Sequence, residues 1–125
     1  MADTMSWQRV RGAPDSGAVI ARTSDLPEDG TLAVTFSGKG RDFPILLVRK
    51  GEAFAAFLNA CPHQGLPLTF RSEDVTTADG QRLMCSNHHA EFDLLTGEGV
   101  AGFGQGCALM RIPLSLDAEG LICVA

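Results

Sequence analysis

Hydrophobic and polar positions along the chain predict a series of short β-strands and no helix longer than two turns. Leu32, Val34 and Phe36 alternate with polar or small residues, which is typical of a strand with one buried face. The unbroken apolar run at residues 45–48 instead predicts a strand covered on both faces. The predicted strands are residues 18–22, 31–36, 43–49, 53–58, 82–85, 108–114 and 121–124.

Turn sequences separate these strands. Glycines such as Gly51, Gly97 and Gly120 stand at or next to the turns, where a positive φ angle is easily adopted. Short strands between frequent turns favour an antiparallel, all-β domain. With 125 residues the whole chain, 1–125, is expected to form one domain.

Charge and hydropathy argue against a nucleic-acid-binding, secreted or membrane-spanning protein. The net charge is -5, and the ten basic residues are spread along the chain, so no patch is suited to a nucleic-acid backbone. Residues 1–10 lack the basic start and apolar stretch of a secretory leader. The longest apolar runs fall far short of the roughly 20 residues that span a bilayer. The sequence predicts a soluble, cytoplasmic protein without nucleic-acid or membrane partners.

Two cysteines each lie close to a histidine, in Cys61-Pro62-His63 and in Cys85-Ser86-Asn87-His88. The first motif follows the predicted strand 53–58 and the second begins at the end of the predicted strand 82–85, so each of two loops presents one thiolate and one imidazole. A 2Fe-2S cluster held by two cysteines and two histidines needs this composition. Cys2His2 is also an ordinary zinc set, and spacing alone does not identify the metal.

The residues around both motifs resemble the Rieske family. The first match is Asn59-Ala60-Cys61-Pro62-His63-Gln64-Gly65, and the second is Cys85-Ser86-Asn87-His88-His89-Ala90-Glu91-Phe92-Asp93, followed by Thr96-Gly97. The resemblance extends from about residue 19 to residue 124. It implies an antiparallel β-sandwich base with an inserted cluster-binding subdomain at about residues 59–106. It also implies one 2Fe-2S cluster, with Cys61 and Cys85 on the inner iron and His63 and His88 on the outer iron.

The resemblance implies one-electron transfer by a non-catalytic carrier, with a flavin reductase as electron donor and an oxygenase or similar enzyme as acceptor. An alternative is the small Rieske subunit of an oxidoreductase such as nitrite reductase. A structural zinc-binding interaction module is the third hypothesis, although zinc modules usually pair like ligands and lack the downstream Phe-Asp-x-x-Thr-Gly pattern. A complete Rieske oxygenase is excluded, because its further iron needs two more histidines and the chain has three in all.

The remaining candidate residues favour structural roles. His89 is expected to be an exposed neighbour of a ligand, and Cys107 and Cys123 are expected to be core residues. Asp93 is expected to accept backbone N–H groups in a turn. Ala90 and Phe92 stand where high-potential Rieske proteins carry hydroxyl donors, so the resemblance implies a low-potential cluster.

Overall fold

The computed structural model describes residues 12–26, 29–38, 40, 42–60, 75–76, 82–84, 91–101 and 108–125. These residues form β-strands and one short 3₁₀ turn, Thr23–Asp25, which confirms the predicted all-β class. No helix within these ranges is long and apolar enough to cross a membrane. The strands are β1 (Val19–Arg22), β2 (Asp29–Phe36), β3 (Phe43–Lys50), β4 (Ala53–Leu58), β5 (Arg82–Met84), β6 (Glu91–Asp93), β7 (Gly99–Ala101), β8 (Leu114–Leu116) and β9 (Leu121–Val124).

Within the described ranges, the strands form three antiparallel sheets of three strands each. The terminal sheet has the order β1-β9-β8, the central sheet β2-β3-β4 and the small sheet β5-β6-β7. Within the central sheet β3 lies between its two neighbours, and Ile45 pairs with both Val34 and Leu58. The terminal sheet joins the two ends of the described chain, because β1 and β8 both pair with β9.

Both faces of β3 are buried, as the apolar run at residues 45–48 predicts. Leu46 and Val48 face one hydrophobic core, while Ile45 and Leu47 face the other. The first, called the small-sheet core, contains Leu46, Val48, Ala55, Phe57, Val75, Leu83, Phe92, Leu94 and Leu109. The second, called the base core, contains Ala13, Leu26, Phe43, Ile45, Leu47, Ala56, Leu58, Ile112, Ile122 and Val124. The central sheet therefore lies between the small sheet and the terminal sheet.

The predicted strand at residues 108–114 is not one strand. Ala108 forms an isolated bridge with Glu98, Arg111 forms one with Phe57, and regular pairing starts only at Leu114, which belongs to β8. Pro113, immediately before Leu114, has no N–H group to donate to a ladder. Residues 108–112, called the connecting segment, thus contact the small sheet and then the central sheet before the chain enters the terminal sheet.

Candidate metal centre

The first Cys-His motif begins three residues after the end of β4. The backbone N–H of Leu58 donates to the Met110 carbonyl at 2.9 Å, and that of Asn59 donates to the Pro44 carbonyl at 3.0 Å. Asn59 is buried, with 4% of its surface exposed. The backbone that leads to Cys61 is therefore fixed on two sides before the motif starts.

The strand ends on either side of the second motif lie at one end of the small sheet. Met84, the last residue of β5, pairs with Glu91, the first residue of β6, and Glu91 also pairs with Ala101 at the end of β7. On the far side of β5, the backbone N–H of Met84 donates to the Val75 carbonyl at 2.6 Å. Because the three strands are antiparallel, Met84, Glu91 and Ala101 lie at the same end of the small sheet.

Asp93 closes the turn after β6, as the sequence predicts. One oxygen of its carboxylate accepts the backbone N–H groups of Leu95 and Thr96, both at 2.9 Å. These bonds, the one from Thr96 first, stabilise the charged form and lower the pKa of Asp93 below its ordinary value of 3.8. The carboxylate of Asp93 therefore stabilises the backbone of this turn, which supports a structural role.

Gly97 ends the same turn in a backbone conformation that favours glycine, with a φ of +79°. Its N–H donates to the Asp93 carbonyl at 3.0 Å, and its own carbonyl accepts the N–H of Leu109 at 2.8 Å. The turn is thereby joined to the connecting segment. The turn with a positive φ angle that the sequence predicts at Gly97 is confirmed.

The expectation that Cys123 is a core residue is wrong. Its neighbours Ile122 and Val124 are buried in the base core at 0% and 1% exposure, so Cys123 lies on the opposite face of β9. There it pairs with Val19 and Ser115, and its thiol is free.

The four predicted ligands Cys61, His63, Cys85 and His88 lie outside the described residues, as do His89, Ala90 and Cys107. What the structure describes is the ends of the strands that lead into and out of both motifs. The connecting segment also contributes to this region, and the hydrophobic pattern did not predict that contribution. Its signal was the isolated Pro113, which interrupts the apolar pattern.

Comparisons with known proteins assign the family. The profile of the Rieske [2Fe-2S] domain matches residues 16–110, and the chain belongs to this family. No curated protein matches the chain in sequence.

Solved structures show the same fold. The ferredoxin of carbazole 1,9a-dioxygenase from Nocardioides aromaticivorans IC177 has a TM-score of 0.69 and 22% identity, covering 89% of this chain and 98% of that chain. A complex of reduced oxygenase and oxidized ferredoxin in carbazole 1,9a-dioxygenase has a TM-score of 0.66 and 19% identity, covering 85% and 90%. A putative nitrite reductase NADPH small-subunit oxidoreductase protein has a TM-score of 0.64 and 14% identity, covering 88% and 99%.

The cofactor of the family is a Rieske-type 2Fe-2S cluster, and the donor set of this chain suits it. Within the matched region, the two short motifs together contain two cysteines and two histidines, which are the kinds of ligand that a Rieske centre requires. When bound, the cluster supplies reversible one-electron chemistry. Electron transfer is therefore the function class of this protein.

Proposed function

We propose that the protein is an electron carrier of the ferredoxin type, which takes single electrons from a flavin reductase and delivers them to an oxygenase or a similar redox enzyme. Its family supports the carrier role. The likeness in fold to a dioxygenase ferredoxin, and to a complex of a ferredoxin with its oxygenase, supports the class of acceptor. A flavin reductase as donor is our expectation from the sequence.

The proposed cluster ligands are Cys61 and Cys85 on one iron and His63 and His88 on the other. One observation carries this assignment: the two motifs lie within the matched region and begin directly after, or three residues after, strands whose ends are held by backbone hydrogen bonds. When the backbone leading into a metal-binding loop is held by hydrogen bonds, the ligands on that loop are held in one geometry. The subdomain of about residues 59–106 is proposed on the same basis.

The ligand assignment is tested by metal content and spectroscopy on protein purified without oxygen. The wild-type protein is expected to be coloured, to contain iron and sulfide, and to give an EPR signal when reduced. Cys61→Ser and Cys85→Ser are expected to lose the iron, because metal binding and folding are linked. Cys123→Ser is the matched control, since this free thiol lies on the outer face of the terminal sheet.

The histidines are tested in the same way with His88→Ala and the neighbouring His89→Ala. Loss of the EPR signal in the first variant and its retention in the second support the assignment. Wild-type iron content in Cys61→Ser, Cys85→Ser or His88→Ala contradicts it. A colourless wild-type protein that contains zinc would contradict the carrier role itself.

A second candidate function is the electron-transfer subunit of a larger oxidoreductase. The likeness in fold to a putative small subunit of nitrite reductase favours it. Purification of the protein from its own cells at its natural abundance separates the two functions. A carrier is expected to elute alone and to turn over many equivalents of acceptor, whereas a subunit is expected to elute with a large subunit in fixed ratio.

The cytoplasmic location stays a prediction from the sequence.

A further inference from the structure

Among the described strands, no pairing joins the strand before the first motif to the strands around the second. The strand β4 pairs with β3 in the central sheet, whereas β5 and β6 belong to the small sheet. The separation of the two motifs must then depend on contacts other than a shared ladder. Side-chain packing in the small-sheet core contributes, but the hydrophobic effect is non-directional and does not by itself fix a register.

The connecting segment makes backbone hydrogen bonds to both parts. On one side, Leu109 donates to the carbonyl of Gly97 at 2.8 Å, next to the bridge between Ala108 and Glu98. On the other side, the Met110 carbonyl accepts the N–H of Leu58, and Ile112 donates to the carbonyl of Ala56 at 2.8 Å. Five consecutive residues thus tie the turn after β6 to the last residues of β4.

The side chains of the connecting segment are also divided between the two cores. Leu109 is buried in the small-sheet core at 4% exposure, and Ile112 is buried in the base core at 1%. A shift of this segment along β4 would break hydrogen bonds and expose both side chains. The segment therefore has one register.

At Gly97 the turn after β6 lies in close contact with β4 and with the connecting segment. A Cβ atom at Gly97 would lie 2.7 Å from Cε1 of Phe57 and 3.2 Å from Cβ of Leu109. Phe57 is fully buried and belongs to β4, so its ring cannot simply turn out into solvent. Any side chain at this position would push the turn away from β4 and from the connecting segment at once.

We propose that Gly97 and the connecting segment position the cluster by fixing the distance between the two ligand-bearing segments. Gly97 is a positioning residue: it acts on the site through the turn after β6 and through the end of β4. The inference rests on the proposed ligand set, because it assumes that both motifs bind one cluster.

The test compares Gly97→Ala with Gly51→Ala in the full-length protein loaded with its cluster. Gly51 also has a positive φ, +59°, but a Cβ atom there would meet nothing within 4 Å. The control therefore carries the backbone strain without the contact. Ile122→Val provides a second control, a loss of packing in the base core alone. Three properties are measured: the g-values of the reduced protein, the midpoint potential and the rate of iron release to a chelator.

Gly97→Ala is expected to change the g-values and the midpoint potential and to release iron on the order of tenfold faster than wild type, since overpacking of a core contact has that scale. Gly51→Ala and Ile122→Val are expected to keep the wild-type spectrum. In a Phe57→Leu background, which removes the atom nearest to the new Cβ, the Gly97→Ala change is expected to have a smaller effect on all three properties.

Three results would overturn the inference. One is a wild-type spectrum and release rate in Gly97→Ala, and another is an equal change in Gly51→Ala. The last is a Phe57→Leu/Gly97→Ala double variant as defective as Gly97→Ala alone, including the case in which neither variant folds.

The two proposals can fail separately. If the wild-type protein itself lacks the EPR signal, the proposed ligand set fails as well. If the wild-type protein gives the signal and Gly97→Ala behaves as wild type, only the positioning role fails.

Discussion

Leu83 on β5 and Phe92 on β6 are directly paired across the small sheet, and both side chains are fully buried. Leu83 lies two residues before Cys85, and Phe92 follows residues 85–90 after a single residue. The pair therefore joins the two ends of the second motif. Strands of three residues have few ladder bonds, so this buried cross-strand pair adds to the stability of the small sheet.

Truncation of this pair is expected to weaken both the fold and the retention of the cluster. We predict that Leu83→Ala lowers the free energy of unfolding by about 2–5 kcal/mol, the usual cost of a buried leucine truncation. Thermal unfolding followed by circular dichroism, with iron release measured in parallel, checks this. Leu116→Ala is the control, because Leu116 is 46% exposed, and a change of similar size in both variants would contradict the prediction.

The sequence predicts the longer strands of this fold well. The bounds predicted for residues 53–58 and 121–124 agree with β4 and β9, and those for residues 43–49 miss β3 by one residue. In these segments several apolar residues stand close together between turn sequences. The two strands β6 and β7 were not predicted, because three residues are too few for an alternation to appear.

The errors have physical causes that can be assigned to particular residues. Residues 108–114 contain enough apolar positions for a strand, but they pair in turn with Glu98 next to β7, with Phe57 in the central sheet and with Val124 in the terminal sheet. A local pattern carries no information about such changes of partner. Cys123 was placed in the core from its apolar neighbours, although the alternation of Ile122 and Val124 puts it on the opposite face.

The Asp93 turn predicts a specific dependence of stability on pH. Its carboxylate has a lowered pKa in the folded protein, so it contributes stability that is fully present above the unfolded value of 3.8. That contribution is lost as the pH falls through the lower folded value. Asp93→Asn removes the titrating group, and we expect the variant to be less stable than wild type at pH 7.

The decisive measurement is the difference in thermal midpoint between wild type and Asp93→Asn, taken from pH 7 downwards. The difference is expected to stay constant to about pH 5 and to shrink below that, since the wild-type carboxylate becomes protonated. Asp117→Asn is a matched control, because Asp117 also accepts two backbone N–H groups, from Glu119 and Leu121, in a turn of the terminal sheet. Iron release is expected to be faster in Asp93→Asn only. A constant difference throughout the acid range would refute the role of the charge.

The proposed ligand set predicts a higher potential than that of a plant-type ferredoxin. Two thiolates and two neutral imidazoles carry two negative charges fewer than four thiolates, so an added electron is less strongly opposed. Plant-type ferredoxins lie near about -400 mV, and Rieske centres range from about -150 to +300 mV. Within that range, hydrogen bonds to the sulfurs raise the potential because they stabilise the reduced state.

The midpoint potential of this protein is expected to lie near the low end of the Rieske range, at about -150 mV. Ala90 and Phe92 stand at the positions where the resemblance implies a serine and a tyrosine in high-potential members. Leu66 and Asn87 stand where those members have cysteines that form a disulfide, and the chain contains no tyrosine at all. Such a potential suits a carrier that accepts electrons from a flavin reductase. Protein-film voltammetry near neutral pH checks it, and a midpoint well above zero would exclude the low-potential assignment.

Introducing a hydroxyl at residue 92 tests the cause of the low potential. The ring of Phe92 is fully buried in the small-sheet core, where a new hydroxyl has no bulk water to bond with. A tyrosine there must donate to a nearby acceptor or lose stability, since an unpaired buried hydroxyl costs about 1–3 kcal/mol. If the acceptor is a cluster sulfur, Phe92→Tyr raises the midpoint potential at little cost in thermal stability. Phe43→Tyr is the control, because Phe43 is equally buried but lies on β3 in the base core, outside the donor positions. We expect it to lower the thermal midpoint and to leave the potential unchanged, and an equal shift of potential in both variants would assign the effect to core polarity instead of a hydrogen bond.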